Sequence, residues 1–257
     1  MQKLLTALFL MSSLSAVAAI KTERVIYKHG SEELEGFIAY DDSTPAGKPA
    51  VVIIHDWMGP SDYTEMRAQQ LAEMGYVAFA ADIYGKKLRP KNSEEAAKAA
   101  GEFRNGDRKL LRARAKAAYD QVAKHPQADK KRISAAGYCF GGTAVLEMAR
   151  SGLPLKGVIS FHGGLSAVQP KEALKIKSKL LVLHGAIDPY ISADELNGFM
   201  KEMNDAKVDY QFISYSGAVH AFSQKAAGND PKNGAAYNEA ADKRSFVAMR
   251  EFLKEVN

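Results

Sequence analysis

The stretch from Arg132 to Gly142, RISAAGYCFGG, constrains this chain more than any other, because it reads as a buried strand running into a glycine-flanked turn. Ile133, Ala135 and Ala136 suit the strand, and TAVLEMAR over 143–150 has the apolar spacing and helix formers of a following helix. Strand, G-x-C-x-G and helix in that order predict a nucleophile elbow. So sharp a turn strains its central residue and lifts the side chain over the sheet edge, which makes Cys139 the expected nucleophile. A helix N-terminus favours a thiolate there, and the Phe140 N–H is offered to a developing oxyanion. A lone cysteine is more often inert packing, but the surrounding strand, turn and helix favour catalysis here. As Cys139 is the only cysteine, no intramolecular disulfide can form and the fold rests on its core.

Residues 1–19 carry one early charge at Lys3, an apolar stretch from Leu4 to Met11 and small residues at 16–19. That is the pattern of a secretory signal peptide, and its apolar run is well short of the roughly 20 residues that span a bilayer. The expected product is a single α/β domain over 20–257, exported to the periplasm or beyond and free of the membrane. A monomer is expected. The formal charge of +5 falls by one when Lys3 leaves, too mild to imply a nucleic-acid partner.

Segments 24–29 and 33–40 alternate apolar and polar residues about His29-Gly30-Ser31, as in an antiparallel edge hairpin. Continuous apolar runs at 50–54 and 76–81 predict buried central strands, with a Ser61-capped helix over 61–74 between them. Loop and irregular helix are expected over 82–106. Over 107–124 a helix is predicted with Leu111, Ala115, Ala118, Tyr119 and Val122 inward and Arg108, Arg112 and Lys116 on a wet face. Further strands fall at 156–161, 180–184 and 210–215, and a last helix at about 235–255. This alternation predicts a mostly parallel central sheet with helices on both faces, whose sites form at the carboxyl ends of the strands.

Nucleophile, acid and histidine in that order are the α/β-hydrolase arrangement, met here by Cys139, Asp188 and His220, each just past a predicted strand. His220 is the expected general base and acid, and Asp188 would hold its tautomer, with Asp194 as a nearby competitor. Through GYCFGG, HGAIDPYIS and the AVHAF segment the chain resembles the dienelactone hydrolase family of α/β-hydrolases. The resemblance implies a Cys-His-Asp hydrolase that cleaves an ester or lactone of a small substrate through an acyl-enzyme, without a cofactor. It further implies oxyanion donors at the N–H groups of Trp57 and Phe140, and a resting thiol held by an acid at Asp56, where the family usually has Glu. Trp57, Met58, Tyr84, Phe140 and Phe222 would wall the pocket. Two arginines that clamp the substrate carboxylate in the family's founding enzymes are replaced here by Lys86, kept as a substrate-binding candidate, and Gln224.

Two other classes compete. His55, His162 and His184 all end predicted strands and would suit a metal-dependent hydrolase, although none has H-x-H or H-E-x-x-H spacing. A non-catalytic ligand-binding module would keep the fold but has no need of Cys, Asp and His in order.

Overall fold

The computed structural model describes residues 20–257, and the predicted leader at 1–19 lies outside the described residues. Among these residues eight strands form one sheet: β1 Ile20–His29, β2 Glu32–Asp41, β3 Lys48–Ile54, β4 Val77–Ala81, β5 Ala128–Tyr138, β6 Gly157–Phe161, β7 Lys179–Gly185 and β8 Tyr210–Tyr215. Their order across the sheet is β1-β2-β4-β3-β5-β6-β7-β8. The β1–β2 hairpin is antiparallel and joins β4 antiparallel, while every pairing from β4 to β8 is parallel. The sheet is therefore mostly parallel, as expected of an α/β-hydrolase.

Among the described residues six α-helices cover it: α1 Asp62–Glu73, α2 Ser93–Arg104, α3 Lys109–Ala123, α4 Phe140–Arg150, α5 Ala193–Asp205 and α6 Glu239–Val256. The period-2 alternation of a strand divides the core between the two faces. In β3, Ala50, Val52 and Ile54 join Phe103, Leu111, Ala144 and Phe199 of α2–α5. Val51 and Ile53 point the other way, into Ala68 and Leu71 of α1 and Met249 and Leu253 of α6. Burial on both faces explains why these central strands read as unbroken apolar runs.

Two expectations need correction. The region after β4 holds a regular helix, α2, whose N-cap Asn92 accepts the Glu95 N–H and whose Ala96, Ala99, Ala100 and Phe103 form a buried stripe. A cap followed three residues on by Glu is a helix-start signal that the surrounding lysines and proline obscured. Arg108 and Arg112 do not face water: both pair with the fully buried Glu147 of α4, and Arg112 also holds Glu172. Helical spacing identifies the charged face, but not the carboxylate that another helix brings against it.

Candidate active site

The elbow follows from two close approaches. A Cβ on Gly137 would lie 2.0 Å from Gly141 O, and one on Gly141 would lie 2.1 Å from Ile54 O, so α4 seats against β5 and β3 only with glycine at both positions. Between them Cys139 takes φ +55° and ψ −111°, a conformation that L side chains rarely adopt. It caps α4 and remains partly exposed. Its backbone N–H is shared between Phe161 O at 3.0 Å and His162 Nδ1 at 3.1 Å.

His220, past β8, lies beside the Cys139 side chain and binds Asp188 Oδ2 through Nδ1 at 2.8 Å. The Asp188 carboxylate is 0% exposed, and its other oxygen accepts the Tyr190 N–H at 2.9 Å. Asp194 instead lies exposed in the first turn of α5, so the acid facing the histidine is Asp188. Burial works against a charged His220, but the hydrogen bond to Asp188 and the negative charge of Asp188 and of Cys139 beside it outweigh burial and push the pKa up to about 10. The sheet ends thus bring together Cys139, Asp188 and His220 from three separate loops.

Trp57 and Phe140 supply backbone N–H groups for which no acceptor occurs among the described residues. The Trp57–Met58 peptide is held from both ends: Tyr84 Oη donates to Trp57 O at 2.8 Å, and Met58 N–H donates to Asp56 Oδ1 at 2.7 Å. Asp56 Oδ2 accepts from Gln224 Nε2 at 2.9 Å. The carboxylate expected against the thiol is therefore bound to Met58 and Gln224, and the ring beside the Cys139 side chain is that of His220. A side chain as short as aspartate closes a local turn on its own loop, and Gln224 occupies the oxygen that remains.

The expected pocket wall is also revised. Tyr84, Phe140 and Phe222 are buried: Tyr84 and Phe140 pack with His55 and Phe103, and Phe222 packs with His162 and Tyr215 on the opposite face. Trp57 and Met58 keep part of their surface in solvent. Lys86 is exposed, and its N–H bonds Glu33 O at the start of β2, three strands along the sheet from β5. The cation of that loop that turns inward is Arg89, paired with buried Asp82 at 3.0 Å. In place of Lys86 the acid loop presents Ile187, 57% exposed, and Tyr190, 60% exposed, whose ring meets His220 edge-on at 5.2 Å. Sequence reading missed both because exposure of an apolar loop residue leaves no periodic trace.

The three histidines weighed as metal ligands, His55, His162 and His184, do not form a metal centre. His55 Nδ1–H donates to Asp56 O and its Nε2 accepts the Ile83 N–H, while both His162 nitrogens are likewise bonded within the protein. His184 packs against Phe212. Among the described residues no group of three or more His, Cys, Asp or Glu side chains is arranged to hold a metal ion.

Comparison with known proteins agrees with this fold. A solved dienelactone hydrolase-like promiscuous phosphotriesterase from metagenomic libraries is 34% identical and superposes with a TM-score of 0.88, covering 93% of this chain and 99% of that one. A protein of Saccharolobus solfataricus that bears the inferred name carboxymethylenebutenolidase is 26% identical over 91% of this chain and 99% of its own. The fold alone is shared with a dienelactone hydrolase structure from Anabaena variabilis, at 18% identity and a TM-score of 0.64 over 90% of this chain and 98% of that one. The sequence profile of the dienelactone hydrolase family matches residues 34–257, and the chain belongs to that family of hydrolases.

Proposed function

We propose that the protein hydrolyses esters or lactones of small substrates through an acyl-enzyme on Cys139. The observation that carries this reading is the partly exposed Cys139 at the elbow with the His220 ring beside it, fixed in turn by Asp188. Because Nδ1 is engaged by Asp188, the other ring nitrogen is free to work on the thiol. In this reading His220 holds the thiol proton as sulfur attacks the carbonyl carbon, and the negative oxygen settles on the N–H groups of Trp57 and Phe140. His220 then gives the proton to the leaving oxygen, forming a thioester. Water activated by the same ring attacks the thioester, releases the acid and restores the thiol. For a lactone, both products leave as one hydroxy acid.

The carboxymethylenebutenolidase relative and a Bradyrhizobium relative, whose inferred name is that of a 2-oxo-3-(5-oxofuran-2-ylidene)propanoate lactonase, support lactones as the first class to assay. The phosphotriesterase relative makes a neutral phosphotriester the second. Export rests on the composition of residues 1–19 and remains part of the proposal. The test is a screen of the chain beginning at Ile20 against p-nitrophenyl acetate, dihydrocoumarin and paraoxon, with and without a chelator. Cys139→Ala should abolish turnover while leaving the fold intact, and chelation should change nothing. Full activity in Cys139→Ala, or complete loss on chelation, rejects the mechanism.

A further inference from the structure

We infer that His162 is a positioning residue that locks the nucleophile backbone to the loop carrying the general base; the inference rests on the Cys139–His220 reading above. His162 follows β6, is 0% exposed, and takes a positive φ of +39°, a conformation uncommon for residues other than glycine. Its Nδ1 accepts the Cys139 N–H at 3.1 Å, which fixes the ring proton on Nε2. Nε2–H then donates to Ser223 Oγ at 2.9 Å, three residues beyond His220. One buried ring thus spans the two loops whose separation sets the distance between Cys139 and His220.

The far end of this bridge is braced as well. Tyr63 Oη donates to Ser223 Oγ at 3.0 Å, Arg67 Nε donates to Tyr63 Oη at 3.2 Å, and Arg67 is paired with Asp242 of α6. Two donor chains therefore converge on one hydroxyl, from the elbow and from α1, and both ends rest on helices packed against the sheet. The groups facing His162 are His220, Arg67 and His184, and burial holds the ring neutral, the form the bridge requires. His162 touches no reacting atom, so it acts through where Cys139 and His220 stand. Both loops hold strained residues, Cys139 at φ +55° and Ala221 at φ +56°, and a strained backbone persists only when its surroundings over-determine it.

The test compares His162→Phe, which fills the space but bonds neither partner, with His162→Asn, whose Oδ1 can still accept the Cys139 N–H, and with Ser223→Ala. With p-nitrophenyl acetate, His162→Phe should lose roughly 100-fold in kcat with KM within about twofold, the signature of displaced catalytic groups. Asn should recover about tenfold of that loss, and Ser223→Ala should lose about tenfold on its own. Adding Ser223→Ala to His162→Phe should cost little more, because the bridge is already broken. Wild-type kcat in folded Ser223→Ala and His162→Asn overturns the inference, as does a change confined to KM or to Tm. Should His162→Phe fail to fold, Ser223→Ala and His162→Asn carry the same decision. Cys139→Ala separates the two readings: activity in that variant rejects the reaction itself, whereas an inactive Cys139→Ala beside fully active bridge variants rejects only the role of His162.

Discussion

Gly141→Ala tests how closely the elbow and the proposed oxyanion donors, the Trp57 and Phe140 N–H groups, are coupled. The added Cβ would stand 2.1 Å from Ile54 O and 2.6 Å from His55 O, both backbone atoms at the end of β3. Ordinary contact begins at 3.4 Å, so α4 and β3 must separate by roughly 1.3 Å. Neither side yields easily, since β3 is paired on both edges and α4 is buried along its whole length. Overpacking of this kind costs about 3 kcal/mol, or about 6–12 °C in Tm for a chain of this size. The same separation draws the Phe140 N–H on α4 away from the Trp57 N–H in the loop after β3. An oxyanion that keeps only one donor should lower kcat by about 100-fold with little change in KM. Calorimetry and steady-state ester hydrolysis read the two effects separately. An alanine variant with wild-type Tm and wild-type kcat would falsify the packing argument, and normal kcat at reduced Tm would remove the coupling to the oxyanion donors.

Asp188→Asn should lower kcat by about 10⁴-fold. It also carries a pH signature: with its pKa pushed up to about 10, His220 contributes stability that is complete below its unfolded value of 6.5 and is lost as pH rises through about 10. The Tm deficit of the variant should therefore be larger at pH 6 than at pH 10, and equal deficits would contradict the assigned contact. Asp56→Asn should cut kcat by about tenfold by loosening the Trp57–Met58 peptide, while the pH profile of iodoacetamide alkylation at Cys139 stays as in the wild type; a displaced profile would restore a direct role for Asp56 at the thiol. In an exporting host, mass spectrometry should find the N-terminus near Ile20, and an intact Met1 in active, folded protein would end the signal-peptide reading.

The central strands, the elbow and the order Cys139, Asp188, His220 were legible because each leaves a local mark: continuous apolar runs, glycines around one residue, and polar residues just past strands. The Gly137 and Gly141 contacts give that mark its cause, since no Cβ fits at either position. The clasp of Asp56 by Met58 and Gln224, the burial of Phe222, the pairing of Arg108 and Arg112 with Glu147, and the bridge through His162 were not legible. Each depends on a partner far along the chain, Gln224 for Asp56, His162 for Phe222, Glu147 for the two arginines and Ser223 for His162, and the decisive quantity is the distance and direction to that partner. Periodicity reports which way a residue faces within its own element. The partner waiting there is decided only when sheet order and helix packing bring distant loops to one edge.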